Sequence, residues 1–572
     1  MMPLPRQVTS TVARTLRSTP LRRSPLLLEL DLSRGLLEAT PGTPVEALRA
    51  LQRPTVRSVV EALERAEDDD RVLGLVAHLG PWQPDLAQAS ELRAAVTRLR
   101  RSGRRTVAFT ESFGELGPGN TGYHLATAFE EVWLQPTGEL GLVGLTAQAV
   151  FLRGTLDKLG VEPQVSQRYE YKTAADTFVA PEMTEPHREM LSRLVESGME
   201  TVVADVAESR GRTVEEVRAA VDAAPLSAAE ALDRGLVDRL GYRDEVYAAV
   251  RTALGDVELL FVERYRRSMV SALPARARSR PTVAVVEARG PIHLGRSGGS
   301  PMSGRSVGSD TVGAALRAAG EDDSVRAVVL RVDSPGGSYV ASDAVRREVQ
   351  ALRATGTTVV ASMGSVAASG GYFVAMPCER VLASPGTLTG SIGVLAGKQV
   401  LTRALDRVGV RRESVAAGRY ADMFSSDRPF DEEEWRRLEG WLDTVYDDFT
   451  AKAAEDRDMP VERLRSLARG RVWTGADAAA HGLVDELGGL SASVDAACRL
   501  AGLERAQVQV RSYPHVHPLQ RLIPAQNSEA PASAAVGLPG LGAEGLPWVD
   551  RVLAAAGLPL GALSLPWRLD LR

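Results

Sequence analysis

The chain has 572 residues, enough for several domains and a large hydrophobic core. Its net charge of −5 excludes the strongly basic surface expected of a nucleic-acid-binding protein, and its aromatic content of 5% argues against a platform for stacking bases. No continuous apolar run is long enough for a transmembrane helix.

Residues 1–25 form a basic N-terminal arm, with five arginines before the first acid, Glu29. The arm lacks the continuous apolar region and the small-residue cleavage site of a clear signal peptide. Such a segment either lies on an anionic membrane surface or is a solvated tail, and the sequence leaves both open. We expect a cytoplasmic protein, with peripheral contact at the inner membrane as an open alternative.

The central part of the chain is an internal repeat, in which matching blocks recur in the same order at an offset of about 250 residues. The matching pairs are residues 70–76 with 323–329, 121–123 with 370–372, 131–136 with 380–385, and 235–238 with 482–485. We therefore predict an N-terminal repeat at residues 26–262 and a C-terminal repeat at 281–510, joined by an Arg-rich surface linker at 263–280.

Each repeat alternates short apolar runs with helical patterns. In the C-terminal repeat the strand-like runs are residues 282–286, 327–332, 357–362 and 380–383. Near-continuous apolar strands separated by helices are typical of a parallel sheet that is covered on both faces. The predicted fold class is α/β, with two tandem domains of the same kind.

The last part of the chain, residues 511–572, is a Pro/Ala/Gly-rich extension, with a short amphipathic helix expected near residues 548–556. Cys378 and Cys498 have no Cys or His at metal spacing, so we expect reduced thiols. His515 and His517 are interpreted as polar loop residues rather than metal ligands. No metal or cofactor is predicted.

Ser369 is the first candidate for chemistry. It follows a short apolar run and stands directly before Gly370 and Gly371, which is typical of a strand, a tight turn and a helix. A serine at a helix N-terminus lies beside free backbone N–H groups that favour a developing anion. The alternative is a turn of small residues that only packs.

The two repeats differ at the positions that matter for this chemistry. The N-terminal repeat has Asn120 where the other has Ser369, and the C-terminal repeat has Ala421 where the other has Lys172. Each repeat thus keeps one member of a pair. No histidine lies near Ser369 in sequence, and a buried lysine can act as a base when its pKa falls from about 10.4 toward neutrality. We interpret Ser369 as the nucleophile and Lys172 as the general base; the alternative is a surface lysine.

Two further stretches fit the same site. Gly336 and Gly337 follow a predicted strand and are expected to offer an N–H to an oxyanion beside the N–H of Gly370, although a plain β-turn would look the same. Ser391 follows the next strand and is expected to hydrogen-bond the lysine amine. The N-terminal repeat has Leu142 at that position.

The motifs at residues 334–337, 367–372 and 388–393, together with Tyr171-Lys172, resemble those of the bacterial signal peptide peptidase A family (peptidase family S49) of the long, duplicated type. The resemblance covers about residues 26–510. It implies a crotonase-like fold related to the Clp protease subunit, and a Ser–Lys dyad of Ser369 and Lys172 with Ser391 as the lysine partner. It further implies Gly370 and one of Gly336 or Gly337 as oxyanion donors.

The same resemblance implies a bowl-shaped homotetramer that degrades signal-peptide remnants and other short apolar peptides. The best-known long members carry an N-terminal membrane anchor, and this sequence shows none. Two other functions stay open at this point. One is a crotonase-type enzyme acting on a coenzyme A thioester, since fold does not fix function. The other is a non-catalytic scaffold in the membrane stress response.

Overall fold

The computed structural model describes residues 24–37, 53–270, 280–300, 304–514 and 563–564. The predictions for the basic arm, for the amphipathic helix near residues 548–556 and for His515 and His517 lie outside this range. Within the range, no helix has both the length and the apolar character needed to cross a membrane.

The N-terminal half is built on a parallel sheet. Its strands in chain order are β1 (Leu26–Asp31), β2 (Val72–His78), β3 (Arg105–Thr110), β4 (Glu131–Leu134), β5 (Glu139–Leu140), β6 (Glu162–Arg168), β7 (Leu226–Ser227), β8 (Arg239–Leu240) and β9 (Glu258–Phe261). The sheet has the order β8–β4–β3–β2–β1–β9, and every neighbouring pair is parallel.

The helices of this half follow the strands. They are α1 (Val56–Glu67), α2 (Leu86–Arg101), α3 (Asn120–Ala126), α4 (Arg153–Leu159), α5 (Asp176–Val179), α6 (Glu185–Arg210), α7 (Val214–Ala223), α8 (Ala228–Asp233), α9 (Arg243–Leu254) and α10 (Val262–Val270). Successive residues of β1 point to opposite faces, so that Leu28 packs with α1 and α2 while Leu27 packs with α9. Both faces of the sheet are therefore covered.

The C-terminal half repeats this plan. Its strands are β10 (Thr282–Arg289), β11 (Ile292–His293), β12 (Gly299–Ser300), β13 (Gly304–Arg305), β14 (Val307–Gly308), β15 (Val325–Ser334), β16 (Gly336–Gly337), β17 (Thr358–Ala368), β18 (Arg380–Ala383), β19 (Leu388–Gly390), β20 (Val394–Val400), β21 (Val472–Thr474), β22 (Glu486–Leu487), β23 (Gln509–Tyr513) and β24 (Leu563–Ser564). The parallel strands follow the order β22–β18–β17–β15–β10–β23, which matches the first sheet strand for strand.

The helices of the C-terminal half cover this second sheet. They are α11 (Ser309–Glu321), α12 (Tyr339–Ala354), α13 (Gly370–Ala375), α14 (Thr402–Arg407), α15 (Glu432–Asp456), α16 (Val461–Leu467), α17 (Gly475–Ala480) and α18 (Leu490–Leu500). The predicted α/β class, with duplicated parallel sheets covered by helices, is confirmed. The four strands expected in this repeat are all present, and β17 runs six residues further than expected.

The start of the predicted linker, residues 263–280, is helical in the structure. Helix α10 continues through it to Val270 and packs against α1. Tyr265 is fully buried, and its hydroxyl donates to Asp69 Oδ2 at 3.0 Å. The arginines of this segment predict a surface connector. A single aromatic residue among many charged ones gives only a weak sequence signal that the segment is buried. The other predicted domain limits stay predictions.

The two halves contact each other through several elements. Strand β6 of the N-terminal half pairs antiparallel with β20 of the C-terminal half, from Glu162 opposite Val400 to Arg168 opposite Val394. In addition, Arg193 on α6 forms an ion pair with Asp477 at 2.8 Å. These contacts bring the segment that follows β6 against the end of β17, where both candidate catalytic residues lie.

Candidate active site

Ser369 connects β17 to α13. Its backbone has φ 55° and ψ −114°, a conformation that non-glycine residues adopt only when the surroundings enforce it. Its N–H donates to the Gly390 carbonyl at 2.8 Å, and its own carbonyl accepts from the Phe373 N–H at 2.9 Å. The hydroxyl does not cap the helix. The backbone is therefore fixed by its neighbours while the hydroxyl is directed elsewhere.

Lys172 comes from the other half of the chain, four residues after β6. Its Nζ lies 2.8 Å from Ser369 Oγ, 3.0 Å from Ser391 Oγ and 3.0 Å from the Ser391 carbonyl. The lysine is only 1% exposed, and Ser369 and Ser391 are buried with it. The structure thus brings together three of the side chains singled out from the sequence.

Burial of the Lys172 amine lowers its pKa to about 7. A neutral amine has two N–H donors and one lone pair. The two oxygen atoms of Ser391 can accept the two N–H groups, which leaves the lone pair to accept the proton of the Ser369 hydroxyl. This arrangement suits an amine that acts as a base near neutral pH.

The C-terminal half also fixes the backbone of the lysine segment. The Tyr171 N–H donates to the Arg469 carbonyl at 3.2 Å. Gly470, with φ +82°, approaches so closely that a Cβ there would lie 2.4 Å from the backbone nitrogen of Lys172. Sequence reasoning missed Gly470, because a glycine after a helix is expected as an ordinary helix end and gives no sign of a close approach.

The glycines expected to hold an oxyanion also lie at this site. A Cβ on Gly370 would be 3.1 Å from the Gly337 nitrogen, so the two backbones lie side by side. The Gly336 N–H donates to Ser334 Oγ at 3.1 Å and is therefore already engaged. The Gly370 N–H belongs to the first turn of α13, where the helix supplies no acceptor. Of the two candidates in β16, Gly337 is the better placed.

The matching position in the N-terminal repeat carries no such site. Asn120 is buried, its Oδ1 accepts from the Gly144 N–H at 3.0 Å, and its Nδ2 donates to the Gly144 carbonyl at 2.9 Å. The amide therefore holds the neighbouring loop, which makes its role structural. Across the described ranges, no group of three His, Cys, Asp or Glu side chains is arranged to hold a metal ion.

Comparison with known proteins gives a consistent result. A family model described as Peptidase family S49 matches residues 113–257 and 351–504, one region in each predicted repeat. The chain is 32% identical to "Serine protease SPPA, chloroplastic" of Arabidopsis thaliana, over 77% of this chain and 65% of that protein. It is 33% identical to "Protease 4" of Salmonella typhi, over 80% and 73%. These relatives do not favour a thioester enzyme or a non-catalytic scaffold.

Two further proteins are similar to this chain. "Protease 4" of Haemophilus influenzae is 29% identical over 80% of this chain and 74% of its own. Among solved structures, a ClpP1 mutant from Listeria monocytogenes aligns with 38% of this chain and 96% of its own, with 13% identity and a TM-score of 0.24.

Proposed function

The chain belongs to peptidase family S49, a family of serine peptidases, and we propose that it hydrolyses peptide bonds with a dyad of Ser369 and Lys172. The observation that carries this proposal is the 2.8 Å contact between Lys172 Nζ and Ser369 Oγ, made by an amine that is fully buried. A buried amine of lowered pKa beside a hydroxyl is the requirement for a serine nucleophile without histidine.

The reaction proceeds in two halves. Neutral Lys172 takes the proton of Ser369 Oγ while that oxygen attacks the peptide carbonyl carbon. The N–H groups of Gly370 and Gly337 hold the oxyanion, and the Lys172 ammonium then gives its proton to the leaving amine. In the second half, Lys172 takes a proton from water, the resulting hydroxide attacks the acyl-enzyme, and the proton returns to Ser369 Oγ as the carboxylic acid leaves. Ser391 orients the Lys172 amine in both halves of the reaction.

Short apolar peptides, including the remnants of cleaved signal peptides, are the proposed substrates. The support from this chain is the pairing of Leu563–Ser564, which lies antiparallel to Gly336–Gly337. An extended segment can therefore form a strand beside these glycines, and a substrate in the same place would present its carbonyl to Gly337. A synthetic signal peptide should be cut at internal bonds, as followed by mass spectrometry, whereas a folded protein of similar length should remain intact. Cleavage of the folded protein at an equal rate would contradict this substrate class.

We propose a homotetramer in which copies meet as the two repeats meet within one chain. When the two repeats are aligned so that Asn120 matches Ser369, β20 corresponds to residues 145–151 and β6 corresponds to residues 411–417. Neither of these matching segments belongs to a strand, and both expose apolar side chains, with Val150 59% exposed and Val415 fully exposed. One segment lies in each half, so pairing between copies would be head to tail, an arrangement that forms a ring when the rotation between copies closes. The proposed location is the cytoplasm, with peripheral contact at the inner membrane as an open alternative.

The dyad is tested by hydrolysis of a peptide ester. Ser369→Ala and Lys172→Ala should each lose nearly all activity and keep the native mass in solution. The matched controls are Ser384→Ala and Lys398→Ala, because both residues are also buried in the C-terminal half but lie outside the dyad. Full activity of Lys172→Ala would exclude the lysine as the base.

A further inference from the structure

Strand β17 contains an irregular segment just before the nucleophile. Its pairing with β15 is regular up to Met363 opposite Val332, and it resumes at Ala367 opposite Ser334. Asp333 alone therefore faces three residues, Gly364–Val366, which we call the bulge. Before the bulge β17 pairs with β18, and from Val366 onward it pairs with β19. The bulge thus directs the strand end that carries Ser369 toward the strand that leads to Ser391.

Three side chains hold the bulge. Asp333 Oδ1 accepts from the Val366 N–H at 3.2 Å, and Thr387 Oγ1 donates to the Gly364 carbonyl at 2.8 Å. The third contact comes from the other repeat: Ser365 Oγ donates to Asp85 Oδ2 at 2.8 Å. The N-terminal repeat therefore contacts the nucleophile strand four residues before Ser369, in addition to supplying Lys172.

Asp85 is well fixed for this role. It is the N-cap residue of α2, where its Oδ1 accepts from the Gln88 N–H at 2.9 Å, so each carboxylate oxygen has a separate partner. Helix α2 is in turn attached to β15 through Glu91 and Arg331, which form an ion pair at 2.6 Å. Burial raises the pKa of Asp85 to about 6, and the negative charges of Asp333 and Glu91 act in the same direction. At about pH 8 the carboxylate is ionised and accepts both bonds with full charge.

Among the described residues, the pair of Asp85 and Ser365 occurs once, beside the nucleophile. Ser338 caps the matching helix of the C-terminal repeat, and Leu116, which is almost fully exposed, stands at the position of Ser365 in the N-terminal repeat. We propose that Asp85 is a positioning residue for the nucleophile of the other repeat, acting through Ser365 and the bulge. This inference rests on the proposed function, since it concerns the placement of Ser369 in that reaction.

The test is a double-mutant cycle on ester hydrolysis at about pH 8. Asp85→Ala and Ser365→Ala should each lower kcat about tenfold with KM little changed, because the loss of a hydrogen bond to a charged group displaces the nucleophile rather than the bound peptide. The double variant should be no slower than Asp85→Ala alone. Asp85→Asn keeps an oxygen that accepts from the Gln88 N–H, and its side-chain NH₂ can donate to Ser365 Oγ. This variant should therefore retain most of the native kcat. Ser365→Ala leaves the helix cap intact and therefore separates positioning from folding.

Thr213→Ala is the control for a lost helix cap. Thr213 caps α7 through the Glu216 N–H at 3.1 Å, and the cap is exposed to solvent. This variant should lose stability as Asp85→Ala does but keep native kcat. Native kcat in Asp85→Ala or Ser365→Ala, or losses that add in the double variant, would overturn the inference while leaving the proposed function intact. An inactive native chain would instead overturn the proposed function, and this inference with it.

Discussion

Lys172 must be neutral to take a proton from Ser369, and its burial sets the pH at which this is the case. Since its pKa is about 7, kcat for a peptide ester should rise with pH through about 7 and level off above it. The measurement is a pH profile of kcat at saturating substrate. A profile that is flat from pH 6 to pH 9 would show that no group of this pKa controls the reaction.

The same burial makes Lys172 costly for the fold. The lysine pKa is about 7 in the folded chain and 10.5 when unperturbed, so the unfolded state binds more protons between these values. Folding stability therefore rises with pH across this window, and below it the cost is about 5 kcal/mol. Lys172→Met should abolish activity and increase the free energy of unfolding by a few kcal/mol at pH 7, with the gain shrinking toward pH 10. Urea unfolding at both pH values measures this, and an equal gain at both would contradict it.

At the level of elements, the turn that contains Gly470 lies directly against the Lys172 backbone of the other repeat. Gly470→Ala should displace the Lys172 backbone and reduce ester hydrolysis at least about a hundredfold, because its Cβ would overlap Lys172. Gly482→Ala is the matched control. Gly482 has nearly the same φ, +80°, but its nearest neighbour would be the Met459 side chain at 3.5 Å. Both variants bear the backbone strain of a non-glycine residue, and equal activity in both would exclude the overlap as the cause of any loss.

The elements also show what could be foreseen from the sequence. The apolar runs and turn glycines predicted the strands around Ser369, and the difference between the repeats predicted that Lys172 and Ser369 work together. The bulge was not predicted, because its shape depends on contacts with Asp333, Thr387 and Asp85, which lie elsewhere in the sequence. The close approach of Gly470 and the helix at Val262–Val270 depend on tertiary contacts, which local sequence does not encode.

For the whole molecule, the internal repeat predicts how copies associate. The native chain should have the mass of a tetramer in sedimentation experiments, because residues 145–151 and 411–417 lack the strand partner that β6 and β20 have within the chain. Val415→Glu should give smaller species, since a charge at this exposed apolar position would have to be buried between copies. Thr252→Glu, on the exposed surface of α9, is the control and should keep the native mass. A monomeric native chain would contradict the proposed assembly.

The proposed site draws its nucleophile and its base from different repeats of one chain. The most direct test is labelling with a serine-directed fluorophosphonate, followed by peptide mapping. We expect one adduct per chain, on Ser369, which Lys172→Ala should abolish and Lys398→Ala should preserve. An adduct on another serine, or labelling of Ser369 that is unchanged in Lys172→Ala, would contradict the account.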